Sequence, residues 1–271
     1  MTKLNSNLPR VAYGVLKSEP SGDELDLAVE EITTLGYTII SSAYTESQIT
    51  EYARLFEETR TAYVNKFGAA RLTNIDENHT IRAPLLIEKA FLDIALNKNL
   101  IGLLGKLFSG AFILNQCNGV INPPGEDYSQ SAWHRDLPYQ HFVSSKVISA
   151  NALYCIDDFT LDNGATAVIP SSHKAENFPS DDFISRHATQ IEARAGEIIV
   201  MNSMLYHGGC RNNSNNERRG INHIFSLPFF KQQINLPANL DETDFEEPHR
   251  TILGFKYNEP HSIEDFLRSR G

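Results

Sequence analysis

Cysteine is scarce in this 271-residue chain: Cys117, Cys155 and Cys210 are widely spaced, and no Cys-x-x-Cys pair occurs. An odd, scattered set excludes a disulfide scaffold and a cysteine-based zinc or redox site, so reduced and mostly buried thiols are expected. Basic residues are also short, with Lys+Arg 24 against Asp+Glu 34 and a formal net charge of -10. A field of that sign repels phosphate backbones and anionic headgroups, which favours a small-molecule partner over nucleic acid. No apolar stretch approaches the ~18 residues of a membrane helix, and the opening MTKLNSNLPRVAYG lacks the apolar centre of a signal peptide. The expectation is a soluble, cytoplasmic protein with no membrane partner. Repeats and long linkers are missing, and only residues 211–217 are of low complexity. What remains, 41% hydrophobic and 21% charged, suits one globular domain. A chain of this length buries roughly three quarters of its unfolded surface, enough to enclose a site.

The first 110 residues read as mainly helical. Apolar positions at about 3.6-residue spacing predict a helix closing at Gly36, and Tyr37 to Ile40 then read as a strand. Thr45 and Gln48 have capping-box spacing ahead of a helix over 46–66. Two further helices are expected around 85–96 and 98–107. From Ala111 the texture becomes β-rich, with turn residues about every ten positions: 111–121, 147–156, 165–169, 190–193, 197–201 and 220–229. That pattern predicts a mainly β core, a sandwich or barrel, over about 111–230. Residues 231–271 form a C-terminal extension with a last helix at Ser262 to Arg268.

Chemistry enters at His134-Arg135-Asp136. On a strand, residues i and i+2 project from one face and can bind one ion together. Such a tripeptide arises readily by chance, so context decides. Downstream, Gly196 to Met201 reads as a buried strand leading to His207-Gly208-Gly209, where a histidine at a strand end followed by glycines is well placed as a third ligand. Two histidines and a carboxylate make the facial triad of non-haem Fe(II), which leaves coordination positions open for O2. Structural zinc would instead want four closed ligands, mostly Cys and His. Because Asp136 is a carboxylate rather than Gly or Ala, hydroxylation is expected over halogenation. An oxoacid cosubstrate would supply the two further electrons, and its far carboxylate needs a fixed partner. Arg218, eleven residues after His207, offers a bidentate guanidinium. Arg219 is the rival; strand parity favours Arg218, which shares a face with Gly220, Asn222 and Ser226.

The ordered motifs Asn122-Pro123-Pro124-Gly125, His134-Arg135-Asp136-Leu137, Asp162-Asn163-Gly164-Ala165, Ile169-Pro170-Ser171-Ser172-His173-Lys174, Ala195-Gly196-Glu197, His207-Gly208 and Arg218 resemble the phytanoyl-CoA dioxygenase family. The resemblance covers about residues 111–230. It implies a double-stranded β-helix (a jelly roll, cupin-like) with N-terminal helices outside. It further implies Fe(II) on His134, Asp136 and His207, 2-oxoglutarate on Arg218, and additional cosubstrate contacts from Asn118 and, less directly, Gln116. Ser171 stands where the family usually has glycine, and Asn122 where many members have lysine.

Arg135 and Tyr139 are the substrate-contact candidates, the latter in the loop beside the site. His173 is expected to order its turn and His223 to be a core histidine. The function expected is an Fe(II)/2-oxoglutarate-dependent hydroxylase of a small organic metabolite. A non-catalytic jelly-roll module binding a metabolite or sugar is the alternative, and a zinc hydrolase the third reading.

Overall fold

The computed structural model describes residues 9, 11–17, 22–23, 25–126, 129–136, 143–268 and 270. Among these residues nine strands occur: β1 (Tyr37–Ser41), β2 (Thr80–Arg82), β3 (Ile113–Asn122), β4 (Ser149–Cys155), β5 (Thr166–Val168), β6 (Thr189–Gln190), β7 (Glu197–Asn202), β8 (His207–Gly209) and β9 (Arg218–Ser226). They form a six-stranded sheet of order β1-β7-β4-β9-β3-β2 and a three-stranded sheet of order β6-β5-β8. All pairings are antiparallel. The fold is the mainly β jelly roll with flanking helices.

Alternation along the central strands divides the interior into two cores. Ala150, Ala152 and Tyr154 of β4, Ile198 and Val200 of β7, and Ile221 and Phe225 of β9 join a large cluster with the helices. The intervening Leu153, Cys155, Ile199 and Met201 join a smaller cluster with Val168 of the second sheet. Every residue of β4 is therefore buried, and its sequence reads as a continuous run rather than an alternation.

The helix Glu46–Phe67 begins with the expected capping box, Thr45 and Gln48 each accepting from the other's backbone N–H. It buries Tyr52, Phe56, Thr59 and Tyr63, and the Phe56 ring comes so close to Gly119 of β3 that a Cβ there would meet it at 3.0 Å. The helix lies against the back of the large sheet for that reason. Leu236, Ile252 and Leu253 of the C-terminal extension join the same core.

Some boundaries differ from the sequence reading. The stretch expected as one helix over 85–96 splits into a 3-10 turn, Pro84–Leu86, and a short helix, Phe91–Ala95, with the Glu88 carboxylate taking the Ala90 N–H between them. The run 190–193 contributes only Thr189–Gln190, while Ala193 pairs with Phe159 in an isolated bridge. Short elements at Ala69–Asn74, Thr80–Arg82, Asp181–His187 and His249–Leu253 were not anticipated, each too brief for periodicity to declare itself. Among the described residues no helix is long and apolar enough to cross a membrane.

Candidate metal centre

His134 is not in a regular strand. It forms an isolated antiparallel bridge with His207, the first residue of β8. The His134 N–H donates to the His207 carbonyl at 2.9 Å and the return bond is 3.1 Å, while the Asp136 N–H donates to the Ser203 carbonyl at 3.1 Å. Backbone bonds thus strap the His-x-Asp segment to the β7–β8 connection, and the two imidazole centroids lie 4.4 Å apart. Gly208 permits this approach, since a Cβ there would stand 3.0 Å from the Ala132 carbonyl.

Each imidazole is held from behind. His134 Nδ1 bonds the Ala132 carbonyl at 2.7 Å and His207 Nδ1 bonds that of Leu205 at 3.0 Å. A carbonyl only accepts, so Nδ1 carries the proton and the Nε2 lone pair points forward. Asp136 Oδ1 lies 3.9 Å from His134 Nε2 and 3.7 Å from His207 Nε2. The other oxygen, Oδ2, accepts from Asn151 Nδ2 at 2.6 Å. The three donors lie within 4.8 Å of one another, and no other group of three or more His, Cys, Asp or Glu among the described residues is arranged to hold a metal ion. Burial, and next the facing His207, hold His134 below the usual histidine range and so in the neutral form a metal needs. Two imidazoles and one carboxylate, with their rear atoms already bonded, fit a divalent transition metal such as ferrous iron.

Arg218 is the first residue of β9 and is 3% exposed. Its guanidinium lies 4.1 Å over the Phe159 ring, and it lines one cleft with His134, His207, Asn151, Thr166 and Asn222. Arg219 turns the other way. Its guanidinium meets both oxygens of Asp157 at 2.6 and 2.9 Å and Glu57 at 2.8 Å. The Asp162-Asn163-Gly164 turn abuts this region. Gly164, at φ +76°, comes so close to the Cys210 carbonyl that a Cβ would lie 2.2 Å from it, and Asn122 Nδ2 bonds the Cys210 carbonyl at 2.9 Å.

Arg135 faces away from the cluster. It is buried, stacks 3.9 Å from the Tyr206 ring centroid and donates to the carbonyls of Ser172, Ala175 and Glu176, bracing the 172–176 segment. Tyr139 lies outside the described residues. Asn118 is buried and directly opposite Asn222 on the neighbouring strand, and Gln116 accepts from Asn118 at 3.5 Å. Gln116 lines a separate small pocket rather than the cleft. Ser171 takes the left-handed conformation that glycine favours, φ +64°, with its hydroxyl donating to the Thr34 carbonyl at 2.8 Å. His173 is buried with Nε2 3.3 Å from the Thr33 carbonyl. Asn151 and Thr166 went unnoticed in the sequence, where nothing but strand parity marks them, and Asn222 entered only as a residue sharing a face with Arg218.

The family model described as phytanoyl-CoA dioxygenase (PhyH) matches residues 33–220, a span that contains His134, Asp136, His207 and Arg218. The chain belongs to the phytanoyl-CoA dioxygenase family. A relative from Mycobacterium tuberculosis, itself an uncharacterised protein, is 29% identical over 239 residues, covering 85% of this chain and 87% of that protein. Among solved structures, EctD from S. alaskensis with 2-oxoglutarate and 5-hydroxyectoine is similar at TM-score 0.64 and 16% identity, covering 77% of this chain and 79% of that one. SnoN, a non-heme alpha-ketoglutarate-dependent epimerase from nogalamycin biosynthesis, is similar at TM-score 0.57 and 16% identity, covering 74% and 80%. At such identities these likenesses are of fold, and they place this PhyH member among jelly-roll proteins.

Proposed function

We propose that this protein is an Fe(II)- and 2-oxoglutarate-dependent dioxygenase that hydroxylates an unactivated C–H bond of a small organic molecule, releasing succinate and CO2. The observation that carries this reading is the convergence of His134 Nε2, His207 Nε2 and Asp136 Oδ1, with Arg218 on the wall of the same cleft. Membership of the family, and the cofactors of the structurally similar EctD and SnoN, support it.

His134, Asp136 and His207 would hold the iron through those three atoms. Once bound, ferrous iron would activate dioxygen, which is the oxidant, while decarboxylation of 2-oxoglutarate to succinate would supply the two electrons beyond those taken from the substrate. Asp136 partly offsets the cation's charge. The bonds that each Nδ1–H donates to the Ala132 and Leu205 carbonyls keep the imidazoles in one tautomer and one orientation, so neither need reorganise during turnover. Arg218 would pair with the oxoacid's far carboxylate, and the Phe159 ring beneath it limits the directions its fork can take. Val120, Leu153 and Met201 supply apolar wall that excludes water from the cleft. Asn118, opposite Asn222 on the neighbouring strand, would add a polar contact for the cosubstrate, with Gln116 accepting from it at 3.5 Å.

The zinc-hydrolase reading wants a general base beside the metal. Among the described residues that line the cleft, no carboxylate takes that role. The non-catalytic module remains the competing reading, and turnover separates the two. Protein reconstituted with Fe(II) is given 2-oxoglutarate, O2 and a metabolite pool, with succinate release followed and products that gain one oxygen sought by mass spectrometry. Turnover is expected in the wild type and its near-complete loss in Asp136→Ala. Unchanged turnover in that variant would refute the site, and no succinate from any pool would favour the binding module.

A further inference from the structure

Asn151 sits on β4, fifteen residues beyond Asp136, and is 2% exposed. Its Nδ2 lies 2.6 Å from Asp136 Oδ2, a charge-assisted distance. That bond fixes which way the amide points, because a flipped side chain would set its carbonyl oxygen against a carboxylate oxygen. The consequence is visible on the other side of the group: Asn151 Oδ1 is buried with no hydrogen-bond partner among the described residues, and Asn151 lines the cleft that holds His134 and His207. A buried acceptor left unmatched is unusual in a native interior. Here the N–H on Asp136 is kept even though the carbonyl goes unpartnered.

We infer that Asn151 is a positioning residue for the metal centre: by occupying Oδ2 it makes Asp136 a one-oxygen ligand through Oδ1. This rests on the reading of Asp136 as a metal ligand. A carboxylate with both oxygens free can chelate and take a second coordination position, which is one of those the oxoacid and O2 require. With Oδ2 engaged by Asn151, chelation would require breaking a short bond to an ionised acceptor. Asn151 is itself aligned by β7 and β9, its neighbours in register being Met201 and Ile224, so the amide is presented from the rigid sheet rather than from a loop.

Cobalt(II) serves as the probe, since its visible spectrum reports coordination without turnover. Apo protein is titrated with Co(II) alone and then with 2-oxoglutarate, comparing wild type, Asn151→Leu, Asn151→Ser and Asp136→Ala, with urea midpoints of the apo proteins recorded alongside. Asn151→Leu is expected to lower Co(II) affinity by about 10- to 100-fold, the usual cost of removing an outer partner of a metal ligand. It should also alter the Co(II) spectrum and weaken the spectral response to 2-oxoglutarate. Asn151→Ser, which is small enough to fold without strain, should show the same changes and keeps the test open if the leucine variant does not fold. Co(II) affinity within twofold of wild type and an unchanged spectrum in either folded variant would overturn the inference, a lowered urea midpoint alone then marking a purely structural amide. If wild type binds no Co(II), or Asp136→Ala binds it as well as wild type, the metal centre itself is wrong. Wild type and Asp136→Ala behaving as expected while Asn151→Leu matches wild type would defeat this inference only.

Discussion

The two faces of the six-stranded sheet are built from alternate residues of the same strands and share almost nothing else. On the back, Ala150, Ala152, Ile198, Val200, Ile221 and Phe225 merge with the helices into one apolar core. On the inner face stand Asn151, Leu153, Asn222 and Arg218, which line the same cleft as His134 and His207. Since side chains alternate with period two, slipping β4 or β9 by one residue would exchange a hydrophobic contact for Asn151, Asn222 or Arg218. The back face therefore fixes the register and the inner face depends on it.

Arg218 and Arg219 are the sharpest instance, adjacent in sequence and opposite in fate. Arg218→Met is expected to weaken 2-oxoglutarate binding by roughly 3–5 kcal/mol, about 10²- to 10⁴-fold, because it strips the partner from a buried carboxylate. Arg219→Met should leave cosubstrate binding as it was and cost about 1 kcal/mol of stability from its ion pairs with Asp157 and Glu57. Calorimetric titration of metal-loaded protein with 2-oxoglutarate checks both. If the Arg219 variant lost the cosubstrate instead, the assignment of faces would be reversed.

Much of this division was readable from the chain, and the exceptions have physical causes. Parity along β9 was enough to separate Arg218 from Arg219, since strand geometry needs no tertiary information. The pairing of His134 with Asp136 was also legible, although the expected strand is an isolated bridge: the two side chains converge because the backbone of each is tied to His207 or Ser203, contacts some seventy residues distant. Asn151 was not legible at all, because an asparagine within an apolar run acquires its meaning only from the carboxylate the fold sets against it. Arg135 looked like a cleft residue from its position between two candidate ligands, yet the carbonyls of the 172–176 segment and the Tyr206 ring engage its side chain instead.

A truncation on the back face should separate stability from metal binding. Phe56 is fully buried and packs against Gly119 from the helix Glu46–Phe67. Phe56→Ala is expected to cost about 3–5 kcal/mol in a urea titration through lost contacts and the cavity left behind. Co(II) affinity of the folded fraction should match wild type. A parallel fall in metal affinity would mean that the two faces are not independent.

The back face can also be tested with a proton. His223 lies on β9 between Ile221 and Phe225, wholly buried, with Nδ1 3.3 Å from the Ala152 carbonyl. Burial pushes its pKa down to about 4. In the unfolded chain the same ring titrates near the ordinary histidine value of about 6.5. Between those limits the unfolded state binds a proton that the folded state refuses, so stability falls as pH drops from about 6.5 to about 4 and this contribution levels off below. Integrated over that window the loss is about 3 kcal/mol. His223→Leu keeps the site apolar and removes the titrating group, and the difference between its stability–pH curve and that of wild type isolates this one ring from every carboxylate titrating in both. Parallel curves would mean that water reaches His223 in the folded protein and that the back face is less closed than its packing implies.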